Sequence, residues 1–264
     1  MIQIIVNADD YGFDENRTKA ILQAYNEGWI STTTAMVNMP WFEKSLELAK
    51  GSRLFDNIGL HLNLTEGTPL TESIKKSPSF CDENGQFNAV FHRSKKDRLF
   101  LPKFERDAVK EEATAQFEKY CCSGLTSFHL DSHHHSHTDW SVADIVLPLA
   151  QKFGFKRVRM SRNFGAGLTV PKRIYKYFLN KKLQRDLLPN TVYFCNYGDF
   201  EKNWQYLPDQ SSLEIMSHPL FAINQKLDLN GILTEFYWDC SSQRDFWNNP
   251  PENIQLFDYK GSLK

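Results

Sequence analysis

Ile2-Gln-Ile-Ile-Val-Asn-Ala-Asp-Asp-Tyr-Gly12 opens the chain with a nearly continuous apolar run that stops at two aspartates and a glycine. A run of this length without polar alternation is what a strand buried on both faces requires, as in parallel sheets covered by helices. The pattern then changes period. Asp14 to Gly28 reads as a helix, with Ala20, Ile21, Ala24 and Tyr25 on one face and Gly28 as its stop. A strand at Thr32–Asn38, a helix at Trp41–Lys50 and a third strand at Ile58–Leu64 follow. The order β-α-β-α-β predicts right-handed crossovers and a parallel sheet, whose ligand sites lie at the carboxyl ends of the strands.

Beyond Thr65 the regularity fails through Gly67, Pro69, Pro78 and the basic Arg93-Ser-Lys-Lys segment. Irregular insertions this long are usually lids or binding loops. A helix is expected at Lys103–Tyr120, a strand at Thr126–Asp131, a helix near Ser141–Phe153 and a strand at Arg157–Met160. A second irregular stretch, Asn163 to Asn190, carries the basic helical pattern Lys172-Arg-Ile-Tyr-Lys-Tyr-Phe-Leu-Asn-Lys-Lys, read as a solvated helix face. Strands at Thr191–Cys195 and Leu213–Met216, a helix around Ser241–Asn248 and a strand at Ile254–Tyr259 complete the chain. No linker or repeat divides it, so a single catalytic domain over 1–264 is expected, with irregular insertions near 66–100 and 163–190.

Composition excludes several function classes. With 31 Lys and Arg against 32 Asp and Glu, the net charge of −1 gives no general attraction to nucleic acid or to an anionic membrane, and neither is expected as a partner. The N-terminus lacks the basic region and cleavage site of a secretory signal, and no apolar stretch reaches the roughly 18 residues of a membrane span, so a cytoplasmic protein is expected. The five cysteines, including the adjacent pair Cys121-Cys122, show neither zinc spacing nor a disulfide framework and read as reduced and structural. The aromatic content of 14% fits a carbohydrate-handling surface as well as ordinary packing.

The chemistry gathers at strand ends. His129-Leu-Asp-Ser-His-His-His-Ser-His137 holds five of the eight histidines, and imidazole is the commonest protein metal ligand. A tag would sit at a terminus; this tract lies mid-chain behind a strand. Alternation along an extended segment puts His129, Asp131, His133 and His135 on one face, which favours His133, near the strand's end, as a ligand. The first strand ends in Asp9-Asp10 and the third carries His61 and Asn63 on one face, between the apolar Leu60 and Leu62. In a parallel barrel these ends converge. Of Asp9 and Asp10, one can ligate a metal while the other serves as general base, although an Asp pair could also merely cap the following helix. Glu214-Ile-Met-Ser-His218-Pro219 delivers a further histidine just before a turn. A two-His, one-carboxylate set leaves open metal positions, and an adjacent Asp9 and His218 favour hydrolysis over oxygen chemistry.

At these residues the chain resembles the YdjC-like carbohydrate deacetylases, best known for chitooligosaccharide deacetylases. The matching signatures are Asn7-Ala-Asp-Asp-Tyr-Gly12, Ser31-Thr-Thr-Thr-Ala-Met-Val-Asn38, Gly59-Leu-His-Leu-Asn-Leu-Thr65, the histidine tract and Ser217-His-Pro219, in the family's order. The resemblance implies an α/β fold, a deformed (β/α) barrel with parallel strands related to the polysaccharide deacetylases. It implies hydrolytic removal of acetyl groups from N-acetylated sugars or oligosaccharides, with release of acetate. Carried over residue by residue, it makes Asp10, His61 and His133 the metal ligands, Asp9 the general base and His218 the general acid. Asp131 is expected to orient a ligand imidazole, and Arg159, Asn63 and His135 to support the site or meet substrate.

One divalent metal ion is implied. Family resemblance gives Mg2+, while two imidazoles suit Zn2+ or another transition metal at least as well. The arginine strand Val158-Arg-Met-Ser-Arg-Asn163 lacks the acidic residue that the family places shortly after it, which leaves the particular sugar open. The competing readings are another metal-dependent sugar enzyme such as an isomerase, a non-haem iron oxygenase, or a non-catalytic sugar-binding module. A homo-oligomer is compatible with the sequence.

Overall fold

The computed structural model describes residues 1–88, 94–221, 236–237 and 246–259. Its strands are β1 (Ile2–Tyr11), β2 (Thr32–Ala35), β3 (Ile58–Leu62), β4 (His129–Ser132), β5 (Arg157–Val158), β6 (Leu188–Pro189), β7 (Tyr193–Asn196), β8 (Ser212–Ser217), β9 (Leu220–Phe221), β10 (Phe236–Tyr237) and β11 (Ile254–Leu256). The helices are α1 (Glu15–Asn26), α2 (Phe42–Ala49), α3 (Lys103–Cys122), α4 (Trp140–Lys152), α5 (Val170–Asp186) and α6 (Tyr197–Asn203).

Nine strands form one sheet in the order β6-β5-β4-β3-β2-β1-β8-β7, with β11 beside the first residues of β1. Every pairing within it is parallel. Chain order with β1 next to β8 is the arrangement of a barrel, in which the first and last strands meet. The seam lies between β6 and β7, which share no ladder among the described residues. There the chain after β5 reaches across: Asn163 N donates to Phe194 O at 3.2 Å and Phe194 N to Asn163 Oδ1 at 2.8 Å. The fold is therefore an α/β deformed barrel of parallel strands, as the sequence predicts. β9 and β10 form a separate antiparallel ribbon, which Asn16 of α1 holds through both backbone groups of Phe221.

The two faces of the curled sheet differ. Ile4, Val6, Ala8, Leu60, Leu62, Leu130 and Val158 point outward and are buried under the helices. Burying each of the larger aliphatic side chains contributes about 1.5–3 kcal/mol. The inward face is polar: Asn7, Asp9, Thr32, Thr34, His61, His129, Asp131, Arg159 and Glu214 are all buried. Parallel strands aim their carboxyl ends, and with them the chemistry, at one rim. Gly59 belongs to this face because a Cβ there would lie 2.3 Å from His129 Nε2.

Several element boundaries shift from expectation, most of them by one to three residues. The second strand ends at Ala35 and the last at Leu256. The helix expected around Ser241–Asn248 falls partly outside the described residues, and 246–248 form a helical turn. The stretch 163–190 holds the 17-residue α5 and the short β6. The first insertion is anchored, as far as residue 88, by an unusual helix face. α3 buries Glu105, Glu112 and Gln116 among its apolar residues. Glu112 accepts from the backbone of Leu70 and Thr71, Glu105 from Ser77 and Ser79, and Gln116 pairs with the backbone of Asn63. A loop with little regular secondary structure leaves many backbone groups to satisfy, and α3 supplies partners for several.

Candidate active site

β1 delivers its two aspartates through a bulge. Its register with β2 shifts between Ala8 and Tyr11, and Asp10 takes a φ of 70°. Simple alternation would aim Asp10 at the outward face of Val6 and Ala8. The left-handed conformation, which Asp tolerates better than most residues, turns it to the rim beside Asp9.

The two carboxylates then meet different partners. Arg159 Nη1 and Nη2 donate to Asp9 Oδ2 and Oδ1, both at 2.7 Å, and Asn7 Nδ2 adds a third bond to Oδ1 at 2.8 Å. Burial alone would raise the Asp9 carboxyl, but the Arg159 guanidinium holds it well below the usual carboxylate range. The same guanidinium lies 2.8 Å from Asp131 Oδ2 and 2.5 Å from Glu214 Oε1, with no solvent access to its side chain.

Asp10 faces imidazoles. Its Oδ1 lies 3.2 Å from His61 Nε2 and 2.9 Å from His133 Nδ1, yet this buried oxygen accepts no well-aligned hydrogen bond among the described residues. Donor atoms that share a metal at about 2.1 Å sit about 3.0 Å apart in octahedral and about 3.4 Å apart in tetrahedral geometry. The spacing and the orphaned oxygen thus suit a cation between the three groups, whose donor atoms lie within 4.8 Å of one another. Each ring's other nitrogen is held by a carboxylate: His61 Nδ1 by Asp131 Oδ1 at 2.7 Å and His133 Nε2 by Glu66 Oε2 at 2.7 Å. Carboxylate–imidazole–metal relays of this kind fix ring orientation and raise ligand basicity. Burial would depress His61, but Asp131 and Asp10 raise it to about 10, so the surroundings favour positive charge there. Asp9, His61 and Asp131 also converge. That second set is the poorer cation site, because Arg159 already neutralises both of its carboxylates.

The histidine tract divides by conformation. Alternation holds through Ser132; His133 then opens a turn in which His134 and His135 have φ of 50° and 54°. His129 lies deep in the barrel between Ser127 and the Tyr259 ring. His137 is fully buried between Ser132 and the carbonyl of Arg159. His134 Nδ1 meets Thr65 Oγ1 at 3.1 Å. His135 packs on Phe194 and leaves Nδ1 without a hydrogen bond; burial and then Arg159 push its pKa well below the ordinary value, so the ring is neutral.

A cavity of about 710 Å³ lies over these groups, lined by Asp9, Asp10, His61, His133, His135 and His218 among others. His218 is close enough to Asp9 to act on its ionisation. Asn63 is not brought to the cavity. Its Oδ1 accepts from Thr65 N and Glu66 N, and its Nδ2 donates to Glu66 O at 2.7 Å, so it builds the turn that presents Glu66. Sequence reasoning missed Glu66, Arg98 and Lys176, all in the cavity wall: the first two lie in an irregular insertion where no periodicity says which way a side chain points, and Lys176 lies on α5, in the basic pattern read as a solvated helix face. Thr34, which bonds Asp131 and meets His61, could have been found: it is a polar residue on the inward register of a buried strand.

A parallel deformed barrel with an Asp-His-His cluster and a buried Asp–Arg pair at its rim defines an α/β enzyme-type scaffold. The chain belongs to the YdjC-like protein family, whose model matches residues 3–245. It is 32% identical over 230 residues to a protein of Brevibacillus brevis named carbohydrate deacetylase, a match covering 83% of this chain and 82% of the relative. A Vibrio cholerae protein of the same name is 38% identical over 153 residues, 58% of this chain and 56% of that protein. Among solved structures, one from Enterococcus faecalis V583, provisionally described as a cellobiose-phosphate cleavage protein, superposes with a TM-score of 0.69 at 23% identity and covers 99% of both chains. That likeness concerns the fold alone. No helix among the described residues is long and apolar enough to cross a membrane.

Proposed function

We propose that this chain, acting as a single catalytic domain, is a metal-dependent N-deacetylase of acetylated amino sugars or their oligosaccharides, with Asp10, His61 and His133 holding one divalent ion. The observation that carries the reading is the buried Asp10 Oδ1, which accepts no well-aligned hydrogen bond among the described residues and faces a nitrogen of each imidazole. The names of the Brevibacillus brevis and Vibrio cholerae relatives support the acetylated-sugar substrate. The ion, when bound, supplies a Lewis acid that polarises the acetamide carbonyl and acidifies water.

The remaining work belongs to side chains. Asp9 takes the proton of the attacking water. Of its four acceptor positions, Arg159 and Asn7 use three, which leaves one on Oδ2. Pairing with Arg159 keeps it ionised. His218, in the cavity wall, gives a proton to the departing amine. Asp131 and Glu66 hold the two ligand rings in register, and His135 lines the cavity beside them. The imidazole pair favours Zn2+ or another transition metal over Mg2+, which prefers oxygen ligands.

The test is release of acetate from N-acetylglucosamine oligomers, before and after chelation and with each of Mg2+, Zn2+, Mn2+ and Co2+ restored. Loss on chelation and recovery with one of these ions is expected. Acetate release that survives complete metal removal would overturn the metal, and binding of the oligomers without acetate release in any metal form would overturn the enzyme.

A further inference from the structure

The turn after β1 brings a cation back over the carboxylate that ends the strand. Phe13 N donates to Asp10 O at 3.1 Å, and Gly12 within that turn takes a φ of 82°. Asp14 then caps α1 and accepts from Arg17 N at 2.8 Å. Arg17 stands in the first turn of the helix, and helical side chains lean toward the N-terminus, here toward the end of β1.

Three contacts fix its guanidinium. Nη1 pairs with Asp14 Oδ2, Cζ lies 4.1 Å from the centre of the Phe13 ring, and Nε lies 4.0 Å from Asp10 Oδ2. A ring beneath the guanidinium and a carboxylate at its edge hold it better than either would alone. Phe13 in turn packs 6.2 Å from the His133 ring, and both Phe13 and Arg17 line the cavity over the cluster.

The carboxylate of Asp10 is thereby divided. Oδ1 faces His61 Nε2 and His133 Nδ1 at 3.2 and 2.9 Å, while Oδ2 faces Arg17. At 4.0 Å the guanidinium is too distant for a hydrogen bond and acts as a charge. An ion drawn toward Oδ2 would approach that fixed positive charge. The repulsion penalises ions that take both oxygens of a carboxylate, as Ca2+ often does, more than ions content with one.

We propose that Arg17 is a positioning residue that limits Asp10 to ligation through Oδ1 alone, and so sets how many positions on the ion stay open and which ions the cluster prefers. This rests on the reading of Asp10, His61 and His133 as metal ligands and not on the identity of the substrate. A residue that merely completed the helix cap with Asp14 would have no effect on the ion.

The test uses the full chain, stripped of metal and loaded with Co2+, as wild type, Arg17→Met and Arg17→Lys. Methionine keeps an unbranched stem over Phe13, and the cap persists because Asp14 accepts from the backbone of residue 17. Arg17→Met is expected to weaken the visible Co2+ bands, as a second Asp10 oxygen raises the coordination number. It is also expected to shift the Ca2+ to Zn2+ affinity ratio toward Ca2+ by about tenfold in competition with a chelating dye, and Arg17→Lys, which keeps the charge, to restore most of the difference. A Co2+ spectrum unchanged in Arg17→Met would overturn the one-oxygen limit, and an unchanged ratio would overturn the ion preference; either result leaves the metal site standing. Co2+ binding that Asp10→Asn does not weaken would overturn the ligand assignment and this inference together. The expected spectral change without acetate release from any acetylated oligosaccharide would uphold the role of Arg17 and remove the deacetylase.

Discussion

Arg159 grips both oxygens of Asp9 at 2.7 Å while its Nε reaches Glu214 at 2.5 Å, so one buried guanidinium ties β5 to β1 and β8 across the barrel. This pair sets the position and the charge of the proposed base together. Lysine offers a point charge and no planar fork, so Arg159→Lys is expected to keep the fold and the metal but lose about a hundredfold in acetate release. Arg159→Met leaves Asp9, Asp131 and Glu214 buried without their cation and is expected to lower stability by about 3–5 kcal/mol. Steady-state rates and urea denaturation measure the two effects separately.

Asp9 and Asp10 are adjacent, yet one faces a guanidinium and the other two imidazoles. Asp9→Asn is expected to retain bound metal and lose at least about a hundredfold in turnover, because the amide cannot take a proton. Asp10→Asn tolerates the left-handed backbone as the native residue does, so its fold persists while its metal content falls. Metal analysis of the purified variants beside their acetate release distinguishes the roles; equal metal loss in both would show that the assignment is wrong.

Glu66 lies on the loop after β3 and holds His133 Nε2 at 2.7 Å. The hydrogen bond to His133 is the largest influence on the Glu66 carboxyl and lowers its pKa. Replacing it with Gln removes the charge that orients the ring and raises its basicity. Glu66→Gln should weaken metal affinity by about 10–100-fold, read in a competition titration against a chelating dye.

The barrel and the gathering of Asp10, His61 and His133, the proposed ligands, were legible in the sequence, for reasons that also mark where legibility ended. β1, β3 and β4 carry apolar runs or alternation toward the rim, and strand periodicity gives the face of His61 and favours His133, whereas the choice of Asp10 over Asp9 comes from the family resemblance. Asp10 itself reaches the rim through a bulge and a positive φ that no periodicity encodes. The assignment of the tract past Ser132 by alternation failed for the same reason: the backbone turns left-handed at His134 and His135. Glu66 could not be placed because its position depends on the loop anchor Asn63, Arg98 is set by a contact with Asp139 far along the chain, and Lys176 lies in the basic helical pattern read as a solvated face.

His137 gives the fold a pH dependence that can be isolated. Its ring is fully buried, donating from Nε2 to the carbonyl of Arg159 and accepting from Ser132 Oγ at Nδ1, so the neutral ring is satisfied at both nitrogens. Burial lowers its pKa from 6.5 to about 4. As pH falls through 6.5 the unfolded chain binds a proton that the folded chain refuses until about 4, so this residue's contribution to stability is lost on acidification through that window. The loss is on the order of 3 kcal/mol, from about 1.4 kcal/mol per pKa unit. His61 and His133 shift the opposite way, so the whole-protein profile mixes signs, and the difference between wild type and His137→Gln is the informative quantity. The variant is expected to be less stable than wild type at pH 7 and to close most of that gap by pH 4.5, in urea melts without added metal. A deficit that stays constant over that range would mean that His137 takes up its proton with the fold intact.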